Sequence, residues 1–88
     1  MNFESIWNNI RLHEGEVFKT IRGIEYKYVV YSDYILINDD KKRRVTKDAL
    51  RKALSIENPT PSKINSEGIW GPSYIYGLIT DKRIMLKI

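Results

Sequence analysis

Residues 16–38 read EVFKTIRGIEYKYVVYSDYILIN and hold the densest β-forming chemistry in the chain. The runs Glu16–Ile21, Ile24–Tyr31 and Tyr34–Asn38 are rich in Val, Ile, Tyr and Phe, side chains that favour a pleated, half-buried surface. Arg22-Gly23 separates the first two runs, and glycine supplies the positive φ that a tight hairpin turn needs. Ser32-Asp33 separates the second and third, a pair suited to turns. The stretch predicts a three-stranded antiparallel meander, on which the remaining segments pack.

Two-residue turns fix a register. Ile21 then lies opposite Ile24, Val17 opposite Tyr28, Val30 opposite Ile35, and Tyr28 opposite Ile37. Because side chains alternate, one face collects Val17, Ile21, Ile24, Tyr26, Tyr28, Val30, Ile35 and Ile37 and reads as the core face. Lys19 alone interrupts it. The other face carries Glu16, Phe18, Thr20, Glu25, Lys27, Val29, Tyr31, Tyr34, Leu36 and Asn38, and is either partly covered or a contact surface. A slip of one residue would exchange the two faces.

Upstream, Phe3, Ile6, Trp7 and Ile10 fall at i, i+3, i+4 and i+7, the stripe of an amphipathic helix over about Phe3 to Leu12. Asn2 is its expected N-cap, and Trp7 is expected in the core. Downstream, Asp39-Asp40 suits a turn, and Arg43 to Val45 reads as a brief fourth strand. Thr46 then caps a helix over Lys47 to about Ser55, with Ala49, Leu50, Ala53 and Leu54 as its apolar stripe. Residues 57–68, ENPTPSKINSEG, read as a long, mobile, turn-rich connector with Ile64 as its only anchor. Beyond it, Pro72 to Thr80 favours a short helix, followed by a strand over Arg83–Lys87. The alternative is a hairpin turning at Asp81-Lys82. Either way Trp70, Ile75, Leu78 and Ile79 are expected inside. The expected class is α+β, in one small domain spanning residues 1–88.

Composition narrows the role. A hydrophobic fraction of 42% beside 30% charged residues fits a folded globular chain and not a disordered one. With no cysteine there is no disulfide framework, thiolate zinc site or thiol nucleophile. The opening MNFESIWNN lacks a basic region followed by an apolar one, and no apolar run reaches membrane-spanning length. The cytoplasm is the expected compartment, with no membrane partner. Oligomeric state is not encoded in any feature of the sequence.

Catalytic constellations are sparse. His13 is the sole histidine, and His13, Glu14 and Glu16 match no metal-ligand spacing. Asp33, Asp39 and Asp40 lack the spacing and closing Glu of a calcium loop, and no phosphate-binding glycine loop or nucleophile elbow occurs. The expectation is a protein that is not an enzyme and uses no metal or cofactor.

One constellation carries a mechanism. Lys41, Lys42, Arg43, Arg44, Lys47 and Arg51 cluster at a loop and the helix start behind it, in a chain of net charge +4 and pI near 9.4. Such groups neutralise phosphates and release counterions, while exposed Phe18, Tyr31 and Tyr34 could stack on unpaired bases. The first expectation is a small nucleic-acid-binding module gripping the phosphate backbone. The alternative is a protein-interaction module, an accessory subunit or inhibitor from a bacterial or mobile-element system. Its contact patch would be the aromatic sheet face or the Trp70–Tyr76 stretch.

Overall fold

Asn2 opens the fold in the computed structural model, which describes residues 2–85. Its side-chain oxygen accepts the Ser5 N–H at 2.9 Å and so caps helix α1 (Phe3–Leu12), as the sequence predicts. The stripe Ile6, Trp7 and Ile10 is buried, with Phe3 at its margin. Two antiparallel sheets follow. Strands β1 (Phe18–Lys19) and β2 (Glu25–Tyr26) form one, and β3 (Tyr28–Val30), β4 (Tyr34–Ile37) and β5 (Arg44–Thr46) form the other in that order. The class is α+β.

The second hairpin takes the expected register, with Tyr28 opposite Ile37 and Val30 opposite Ile35. The first does not. Phe18 faces Tyr26 and Lys19 faces Glu25, and the Thr20 N–H donates to the Ile24 carbonyl at 2.9 Å. Ile21, Arg22 and Gly23 therefore form a three-residue loop, one longer than predicted. The Gly23 N–H closes it onto the Thr20 carbonyl, with Gly23 at φ +84°. That extra residue reverses the first strand. Phe18 is only 1% exposed, while Val17, Ile21 and Ile24, predicted inside, are 42%, 62% and 59% exposed. The same reversal turns Lys19 outward. Burying that ammonium without a partner would have been costly, so charge and register agree. On the three-stranded sheet Leu36, predicted outward, is also buried.

Strand β5 runs into helix α2 (Lys47–Ser55) without a linker. Thr46 is both the last residue of the strand and the N-cap, its hydroxyl accepting the Ala49 N–H at 3.1 Å. The expected connector contains a helix instead, α3 (Pro61–Ser66). Thr60 caps it through the Lys63 N–H and Pro61 occupies the first turn, while Ile64 is fully buried. Helix α4 (Pro72–Ile79) lies where the helical reading placed it, burying Ile75, Leu78 and Ile79. Trp70 is an exception to the predicted core at 47% exposed; Ile69 takes the buried position beside it.

Helix α4 crosses the first hairpin closely. A Cβ on Gly77 would stand 2.6 Å from the Lys19 carbonyl oxygen and 2.8 Å from the Tyr26 hydroxyl, so only glycine fits there. The predicted final strand is also corrected. Residues Lys82–Met85 form a single helical turn, α5, and Lys87 lies outside the described residues. Asp81 starts this turn. Its carboxylate accepts the Arg83 N–H at 2.8 Å, and its carbonyl accepts the N–H groups of Ile84 and Met85. Asn9 of α1 donates to the Ile84 carbonyl at 2.7 Å and ties the last turn to the first helix. No helix among the described residues is long and apolar enough to cross a membrane.

An ion network joins α5 to the start of β1. Arg83 pairs with Asp81 at 2.9 Å and Glu16 at 3.1 Å, donates to the Val17 carbonyl, and lies 3.8 Å over the Phe18 ring. Hydrogen bonds from His13 and then Arg83 hold the Glu16 carboxyl below its ordinary value of 4.5. Arg83 does the same to Asp81, ordinarily 3.8. Carboxyls depressed in the folded state contribute stability above their unfolded values and lose it as pH falls through the folded ones. Stability should therefore decline as pH drops below about 4.5. Arg83→Ala should flatten that decline. Urea midpoints measured in parallel across this range check it, and an unchanged acid limb in Arg83→Ala would contradict it.

Candidate nucleic-acid interface

The corner where β5 becomes α2 gathers the predicted cations selectively. Alternation along β5 sends Val45 inward and Arg44 and Thr46 outward. Thr46 lies opposite Tyr34, and the Lys47 N–H donates to the Asp33 carbonyl at 2.9 Å, which pins the start of α2 beside the β3–β4 turn. Lys47 and Arg51, one helical turn apart, then share a face. With Arg44 they rim a groove of about 560 Å³, which Tyr34 and Thr46 also line. Asp33 and Asp48 line it too and reduce its field.

Each cation at this corner rests on an aromatic ring. The Arg44 guanidinium lies 4.2 Å from the centre of Tyr34, the Lys47 ammonium 5.0 Å from Trp7, and the Arg51 guanidinium 4.4 Å from Phe3. Arg11 approaches Trp7 from α1 at 5.9 Å. Phe3 and Trp7 are themselves stacked, with ring centres 6.2 Å apart, and so are Tyr31 and Tyr34 at 5.0 Å. Such cation–π contacts orient a charge without neutralising it. Among the described residues Arg44 and Lys47 form no salt bridge, whereas Arg51 pairs with Asp48 at 3.1 Å.

The rest of the cluster separates. Arg43 shares the face of Val45, donates to the Tyr74 hydroxyl on α4 at 2.9 Å and pairs with Asp40, so it leaves the basic surface. Lys41 and Lys42 are exposed in the β4–β5 turn, beyond the closing Ile37 N–H to Arg43 carbonyl bond. At about 3.3 Å per residue, Lys42 stands roughly 13 Å from the Thr46 end of β5. Of the predicted stacking aromatics, Phe18 is excluded, because the reversed first strand buries it. Tyr31 is 40% exposed, and Tyr34 is half-buried between Tyr31 and Arg44. The sequence reading missed Arg11, Phe3 and Trp7 as neighbours of the site. No local signal places them there: Phe3–Trp7 and Lys47–Arg51 are each i, i+4 pairs, but only the tertiary fold brings the two helices together. No family model, curated protein or solved structure matches the chain, and the site is therefore defined by its own geometry.

Proposed function

We propose that the protein is a binding module for nucleic acid and grips the phosphate backbone with little sequence preference. Arg44, Lys47 and Arg51 make the main contact, and Lys41 and Lys42 reach a neighbouring stretch of the same strand. Tyr31 offers a ring on which an unpaired base can stack. The observation that supports this reading is the linker-free passage from β5 to α2 through Thr46. It brings three cations from two elements onto one rim and leaves Arg44 and Lys47 without a carboxylate partner among the described residues. The contacts are charge-assisted and read no base edge, so affinity rests on phosphate neutralisation. No cofactor or catalytic step is involved.

The test is a fluorescence-anisotropy titration with duplex and single-stranded oligonucleotides, followed by amide shift mapping. Dissociation constants of roughly 1–100 μM are expected for such non-specific binding. The largest shifts should fall at Tyr34, Arg44 and Lys47. Absence of binding to either form in that range would remove the reading, and shifts centred elsewhere would move the site.

A further inference from the structure

We propose that a second groove, between the tip of the first hairpin and the α3–α4 corner, docks an acidic peptide segment bearing bulky apolar side chains. This groove shares no lining residue with the β5–α2 corner and encloses about 760 Å³, within the usual range for ligand sites. Three of the most exposed large apolar residues line it: Ile21 at 62%, Ile24 at 59% and Trp70 at 47%. Single exposed apolar residues are ordinary, but several converging on one concavity mark a contact surface.

The fold places these residues outside for identifiable reasons. The three-residue loop that reverses β1 carries Ile21, and Ile24 stands at its base, opposite Thr20. Ile69 takes the core position before α4, so Trp70 lies outside, stacked on Tyr74 with ring centres 5.9 Å apart. Pro61 and Pro72, each in the first turn of its helix, stiffen the opposite wall. A rigid wall with a tryptophan anchor binds at low ordering cost.

Charge selects the occupant. Among the described residues Arg22 is the only charged one lining the groove, and no carboxylate lines it. The side chains of Ser62, Asn65 and Ser73 add neutral hydrogen-bonding groups. An acidic segment would pair with Arg22 while its apolar side chains cover Trp70 and Ile24. A second copy docked symmetrically would set Arg22 against an equally basic groove with nothing there to neutralise it. One cation is also too few to hold a polyphosphate chain.

A phage-displayed library of random peptides, panned against the full chain, tests this. Peptides enriched in Asp or Glu beside Leu, Phe or Trp are expected. Trp70→Ala and Ile24→Ser should each weaken their binding at least about tenfold, with thermal unfolding little changed because both side chains are largely exposed. Arg22→Glu should shift the selected peptides from acidic to basic, a reversal that mere loss of structure cannot produce. Three outcomes would overturn the proposal. The first is no enrichment, or peptides indifferent to Trp70→Ala and Arg22→Glu. The second is oligonucleotide binding that Trp70→Ala abolishes while no peptide is selected. The third is self-association that Ile24→Ser disrupts, again with no peptide selected.

Discussion

Phe18→Ala should lower the unfolding free energy by about 3–5 kcal/mol, whereas Val17→Ala should change it by no more than about 0.5 kcal/mol. Two neighbouring residues thus differ by a large share of the stability a small domain possesses. Phe18 is 1% exposed, with its ring 5.3 Å from that of Tyr28 and capped by Arg83. Val17, at 42% exposed, loses little when truncated. The two-residue turn would reverse this order, since it buries Val17 and exposes Phe18. Urea unfolding of the two variants decides between the registers, and a larger loss in Val17→Ala would contradict the three-residue loop.

Tyr28→Ala should cost a similar amount, about 3–5 kcal/mol, and here both registers agree. Tyr28 is buried, and its hydroxyl donates to the Ile10 carbonyl at 2.6 Å. Ile10 belongs to the last turn of α1, where a carbonyl has no partner within its own helix. One side chain therefore fills the core and terminates a helix. Tyr28→Phe separates the two roles. It keeps the ring and leaves the carbonyl unpaired, at a cost of about 1–3 kcal/mol. Burial pushes the Tyr28 hydroxyl far above its ordinary value, so it stays protonated and keeps donating through neutral pH. Equal losses for the two variants would show that the hydrogen bond, not the ring, holds the contact.

What the sequence revealed follows from which signals act over short range. Caps at Asn2 and Thr46 and the helical stripes behind them needed only neighbouring residues, and both helices lie where those patterns put them. The turn at Ser32-Asp33 set its hairpin correctly for the same reason. Arg22-Gly23 misled because glycine serves either a two-residue turn or the last position of a three-residue loop. Lys19 on the supposed core face was the sign that the shorter turn was wrong. Thr60-Pro61 and Asp81 were helix starts read as loop and turn, since each opens a helix too short to show a period.

The basic site was legible as composition and not as geometry. Six cations adjacent in sequence become a corner of three, an exposed turn with two, and Arg43 facing α4. Strand alternation decides that partition, and it depended on where β5 began. The aromatic supports from α1 could not be read locally, because Phe3 and Trp7 meet Arg51 and Lys47 only through the tertiary fold.

The salt dependence of oligonucleotide affinity tests the proposed phosphate-binding site most directly. For Arg44→Ala and Lys47→Ala, each lost contact should reduce the log–log slope by roughly 0.7 on a single strand or roughly 0.9 on a duplex. All sequences should weaken alike, and Arg22→Ala, on the other groove, should leave the slope unchanged. Slopes that stay at the wild-type value in Arg44→Ala and Lys47→Ala would contradict the assignment of phosphate contacts to the β5–α2 corner.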